Sequence, residues 1–169
     1  MRGAVALFLT TYLLRGLVAE VNSALSGMHI WLFTGGLFVA YSALMMPFRE
    51  GFAASVLAGM LCDSATPVAF GTHTALFAAA HAVVYNARER LQREEMLVRV
   101  FVALLLNLAL FLALTFVQVR AAHETAAAWP RMLSDLAWSE AALALIAPWF
   151  FALQLRTLEL ARAQPSRAA

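Results

Sequence analysis

Runs of residues free of Arg, Asp and Glu divide the chain. Gly3 to Leu14 is apolar and continues beyond Arg15 to Ala19, Val21 to Phe48 and Val100 to Val119 carry no formal charge, and Leu136 to Leu155 carries only Glu140. A bilayer hydrocarbon core of about 30 Å takes roughly 20 apolar residues per helix, so each of these runs suits one crossing. The remaining run, Gly51 to Ala87, has a single charge at Asp63 and is too long for one crossing. Asp63-Ser64-Ala65-Thr66-Pro67 supplies turn formers and a proline that lacks a backbone donor, so the run folds back there. The pattern predicts six helices, over about 3–22, 28–46, 48–64, 70–88, 97–119 and 134–156. Gly51 to Cys62 alone would rise only about 18 Å, so the third helix is started at Phe48, just after Pro47. A re-entrant hairpin of helices three and four, with four full spans, is the competing topology.

Composition narrows the class. Of 169 residues 63% are hydrophobic and 13% charged, with net charge +2 and mean hydropathy +0.76. A soluble domain of this size cannot hide so much apolar surface. The expected fold is an all-α polytopic membrane protein with one six-helix domain over residues 1–160 and a short polar, disordered tail at 161–169. A soluble enzyme, a disordered chain and a disulfide-stapled secreted domain are excluded; Cys62 is the single cysteine. All basic residues are Arg, and an inside N-terminus gathers Arg2, Arg49, Arg88, Arg90, Arg93, Arg99, Arg156, Arg162 and Arg167 on one side. Only Arg120 and Arg131 then face outward, which places both termini in the cytoplasm. Arg15 interrupts the apolar stretch of the first helix, which is therefore read as a retained span and not a cleaved signal.

Candidate chemistry is sparse. No Lys follows a Gly-rich loop, and Cys62 with His29, His73, His81 and His123 has no known metal-ligand spacing. His73 and His81 fall on one helical face two turns apart and are read as packing or interfacial side chains. Ser64 and Ser139 lack an obvious base. No cofactor and no catalytic residue is assigned, and no nucleic acid is implied. Polar groups at membrane depth stand out instead, because each is costly in lipid unless it faces protein or water. Gly51, Ser55, Gly59 and Asp63 recur every four positions on the third helix, a small-residue stripe that lets another helix approach closely. Gly51, Ser55, Gly59 and Gly71 are the expected helix-packing or partner-interface positions; the stripe packs within the monomer or mediates a homodimer, and both remain open. Asp63 is expected to accept backbone donors from Ala65 or Thr66. Arg15 is expected to pair with Asp63 or Glu140, since a buried guanidinium needs a carboxylate. Asn107, midway along the fifth helix, is expected to bond across a helix interface.

The stretch Gly51-Phe52-Ala53-Ala54-Ser55-Val56-Leu57-Ala58-Gly59-Met60-Leu61-Cys62-Asp63, followed by Thr66-Pro67 and Gly71-Thr72-His73-Thr74-Ala75-Leu76, resembles the most recognisable segment of the rod shape-determining protein MreD family. There a Gly-rich apolar helix ends in Asp, a few small residues with a Pro follow, and a Gly opens the next helix. Length, six-helix organisation and the Arg-rich loop after helix four are also similar. The resemblance implies a non-enzymatic scaffold of the cell-elongation complex in the bacterial inner membrane. It would work with MreC, the MreB filament, and the glycosyltransferase and transpeptidase that build lateral peptidoglycan. It also implies the fold of the substrate-binding S components of energy-coupling-factor transporters. The alternative function is therefore a vitamin-binding S component, which needs an outward pocket; Trp31, Trp129, Trp138 and His29 are its outer-half candidates. Ala4, Phe8 and Thr11 make a weak docking face for an energising partner.

Overall fold

The computed structural model describes residues 2–28, 30–66, 68–91, 95–122 and 129–163, with side chains over 9–157 apart from 11 and 120–122. His29, Pro67, Arg93, Glu94, His123 and residues 164–169 of the tail lie outside the described residues, as do the side chains of Ala4, Phe8, Thr11 and Arg120. Among the described residues the chain is helical without strands. Its helices are α1 (Arg2–Leu25), α2 (Gly35–Met45), α3 (Phe48–Asp63), α4 (Thr72–Ala87), α5 (Met96–Ala122) and α6 (Trp129–Ala163), with short 3₁₀ turns at Ser26–Met28 and Arg88–Arg90.

Local chemistry sets most of the boundaries. Pro47 removes a donor and forces the preceding residue out of the helical region, so α2 stops and Met46 is extended, with φ −110° and ψ 157°. A new helix begins at once, because proline suits the residue before a first turn. Gly71 has φ +97°, a left-handed conformation that a side chain would strain, and it turns the chain into α4. Helix α5 contains neither Gly nor Pro and runs unbroken for 27 residues. Helix α6 carries Pro130 in its first turn, where no donor is required, and Pro148 in its interior.

Two helix starts depart from the sequence reading. The second helix, expected from residue 28, starts at Gly35, leaving α2 only 11 residues long, about 16 Å at 1.5 Å per residue. Ile30 to Thr34 is not helical. The sixth helix starts at Trp129, earlier than the expected residue 134.

Helix α2 forms the centre and is buried from Gly35 through Leu44. Helices α3, α4, α5 and α6 pack around it, and α1 lies outside against α3 and α6. Leu37, Tyr41 and Leu44 meet a core that includes Phe77, Leu143 and Phe151; Tyr41 sets its ring against Phe150 and Phe151 at centroid distances of 5.9 and 5.8 Å. The outer faces are apolar. Leu13 is 69% exposed, Leu97 81% and Trp149 80%, and the helices over Met96–Val119 and Trp129–Thr157 are long and apolar enough to cross a membrane.

The two ends of the bundle differ. Arg49, Arg88, Arg90 and Arg99 lie where α3 and α5 begin and α4 ends. Arg88 fastens that end: it donates to Met46 O at 3.0 Å and to Tyr85 Oη at 2.9 Å, with its guanidinium 3.7 Å from the Tyr85 ring centre. The opposite end holds the α3–α4 turn, the non-helical stretch before α2, and the start of α6 with Arg131 and Asp135.

Candidate functional site

The buried polar side chains among the described residues hold backbone and helix seams. The first support holds the stretch before α2, whose amides a helix would otherwise satisfy internally. The Leu32 amide donates to Asn22 Oδ1 of α1 at 2.8 Å, and Asn22 Nδ2 donates back to Leu32 O at 3.0 Å. The Trp31 amide donates to Asp135 Oδ1 at 3.0 Å and the Phe33 amide to Ser139 Oγ at 2.9 Å, both on α6. The Gly36 amide donates to Asn107 Oδ1 of α5 at 3.1 Å. Backbone that leaves the helical path needs such partners wherever water does not reach it.

Asn107 is fully buried and bridges further, donating from Nδ2 to Glu140 Oε1 at 3.0 Å. It thus ties α5 to α2 and α6. A Cβ on Gly36 would fall on the Asn107 backbone, so only glycine permits this approach. Asn107→Ala leaves the Gly36 amide buried without an acceptor, and a loss of about 1–3 kcal/mol is expected. Thermal unfolding of the variant in mild detergent measures it; an unshifted midpoint would refute the assignment.

Asp63 is the second support. The sequence reading gave it donors at Ala65 or Thr66; it instead reaches across the turn to the first turn of α4. Oδ1 accepts from the His73 amide at 2.8 Å and from His73 Nδ1 at 2.9 Å. Oδ2 accepts from the Thr74 amide at 3.1 Å and from Thr74 Oγ1 at 2.6 Å. These amides are among the four that a helix start leaves unpaired, and a carboxylate there also meets the positive end of the helix dipole. The Asp caps the next helix in place of Gly71, which has no side chain to do so.

The third support joins α2, α3 and α4. Ser42 Oγ and Ser55 Oγ are 2.7 Å apart, and His81 Nδ1 lies 3.2 Å from the first and 3.1 Å from the second. Ser42 also donates to Val39 O at 3.0 Å. The Asp63–His73 and Ser55–His81 pairs lie eight positions from each other along each helix, so the two pairs hold the α3–α4 hairpin in register over two turns.

The remaining candidates take different places. Gly51, Ser55 and Gly59 are all buried inside the chain: a Cβ on Gly51 would lie 2.5 Å from Ser42 O, and one on Gly59 2.5 Å from Thr74 Cα. The stripe faces α2 and α4. Gly71 meets nothing within 4 Å and serves the turn, not a packing seam. Arg15 pairs with neither Asp63 nor Glu140; it is half-buried and donates from Nη1 to Cys62 Sγ. Asp63 spends both oxygens on the start of α4, and the thiol of Cys62, one position before it on α3, is the acceptor that Arg15 meets. Asn22, Ser42 and Asp135 were missed, because nothing local distinguishes a polar residue that holds a distant amide. Among the described residues no three His, Cys, Asp or Glu are grouped to hold a metal ion.

The fold and these supports define a class: an all-helical protein with helices of membrane-spanning length, whose buried polarity holds its own backbone. The family model for rod shape-determining protein MreD matches residues 4–156. The chain therefore belongs to the MreD family, with a role in rod-shape determination, and family and apolar helices together point to a membrane protein. No curated protein and no solved structure matches it.

Proposed function

We propose that this protein is a non-enzymatic scaffold of the cell-elongation complex, crossing the bacterial inner membrane six times with both termini in the cytoplasm. In this reading it binds MreC and the glycosyltransferase and transpeptidase of lateral peptidoglycan synthesis, with MreB as a further partner. The observation that carries it is membership of the MreD family over residues 4–156. The exposed apolar faces of α1, α5 and α6 support a lipid surround. The gathering of Arg49, Arg88, Arg90 and Arg99 at one end supports the orientation, since cytoplasmic ends retain Arg. Helices α3 and α4, at 16 residues each, rise about 24 Å, close to a full crossing with flanking residues.

Purification of the tagged protein from its own membranes in mild detergent tests the reading. MreC and the two wall synthases are expected to follow it in stable proportion, identified by mass spectrometry. Recovery of an ATPase pair with a retained vitamin, and no MreC, would overturn it in favour of a transporter S component.

A further inference from the structure

A cavity of about 710 Å³ opens at the end of the bundle opposite the arginine cluster, between the stretch before α2, the α3–α4 turn, the last turns of α5 and the first turns of α6. Its size falls within the range of small-molecule sites, roughly 300–1,000 Å³. Polarity is graded through it. Phe33, Phe111 and Leu114 form an apolar wall, with Phe33 and Phe111 edge to face at a centroid distance of 6.2 Å. Two buried polar side chains interrupt that wall. His73 is 3% exposed, with Nδ1 engaged by Asp63; Thr115 is 6% exposed and makes no hydrogen bond among the described residues. Thr115 lines the cavity, so a hydrogen-bonding group held there can take up its hydroxyl. The rim is exposed and carries Arg131, which has no ion-pair partner among the described residues. Asp135, one turn away, has Oδ1 engaged by the Trp31 amide.

We propose that this cavity binds an anionic amphiphile, its apolar body against Phe33, Phe111 and Leu114, a hydrogen-bonding group beside Thr115, and its carboxylate or phosphate on Arg131. Burial of the body supplies the driving force, and the guanidinium at the exposed rim selects the charge. The site is independent of the scaffold reading: absence of MreC from a purification leaves it standing. The same chemistry comes from a lipid of the bilayer or from a soluble solute, and the test separates them.

The full-length protein in phosphatidylcholine nanodiscs is titrated with dansyl-labelled undecanoate, an apolar chain with a carboxylate at one end and a sulfonamide near the other. Saturable blue-shifted emission, sensitised by Trp31 on the cavity wall, is expected above that of empty discs. Arg131→Gln, an exposed change, is expected to weaken binding about tenfold, and Thr115→Trp, which fills the cavity, to abolish it. Displacement by octyl phosphate from solution identifies a solute site, and displacement by phosphatidylglycerol in the disc identifies a lipid site; either supports the proposal. Emission equal to that of empty discs, or binding unchanged in Arg131→Gln and in Thr115→Trp, overturns it.

Discussion

Asp63→Ala is expected to destabilise the protein by about 3 kcal/mol or more, since each donor stranded by loss of its acceptor costs about 1–3 kcal/mol. Its carboxylate, 4% exposed, accepts four hydrogen bonds from two residues of α4. Alanine strands the buried His73 amide and the half-buried Thr74 amide and leaves the His73 ring without its partner. The helix start loses its cap and the hairpin loses one of its two register pins. Domains retain only about 5–15 kcal/mol of net stability, so the folded population falls sharply. Asp63→Asn keeps one acceptor oxygen in place and should lose less, about 1–3 kcal/mol. Unfolding midpoints of the three proteins in one detergent measure the order. Equal midpoints would show that the cap contributes nothing.

Gly59→Leu is expected to prevent the folded monomer from accumulating. A Cβ at this position would lie 2.5 Å from Thr74 Cα, 2.8 Å from Thr74 N and 3.0 Å from His73 O. These are backbone atoms and cannot rotate aside, so α3 and α4 must separate. Overpacking of a tight core costs typically about 1–3 kcal/mol, and here the separation also draws the Thr74 amide away from Asp63. The two losses are coupled through the same residue and exceed either alone. Gly59→Ala should therefore lose about 1–3 kcal/mol, while Gly16→Ala, with nothing within 4 Å, should leave stability unchanged or slightly raised. Size-exclusion profiles with thermal unfolding separate the cases. A Gly59→Leu protein that is folded, monodisperse and merely deficient in partner recovery would place the glycine stripe on an external surface instead.

These variants mark where sequence pattern reaches and where it stops. The α3–α4 hairpin was legible because its signals are local: Pro47 starts a helix, and Asp63 with the small residues after it ends one. The Gly51–Ser55–Gly59 spacing announced a close helix approach before its neighbours were known. The stretch from Ile30 to Thr34 was not legible. It is as apolar as the helix it precedes, and it leaves the helical path because Asn22, Asp135 and Ser139 take its amides. Two of those three acceptors lie more than a hundred positions away in the chain. The Arg15 expectation failed for a related reason. Charge type argues that a guanidinium wants a carboxylate, yet it cannot say that the Asp63 carboxylate is given to the start of α4.

Hydrophobic period and composition by themselves determined an all-helical chain with apolar surfaces, its principal turns and its uneven distribution of arginine, because these follow from the solvent and from local backbone chemistry. The tertiary structure alone decided which amides are held by which side chains, that the glycine stripe faces inward, and that a graded cavity forms beside α6. Those features depend on residues brought together from distant parts of the chain, and an amide held from another helix leaves no mark on its own neighbours in sequence.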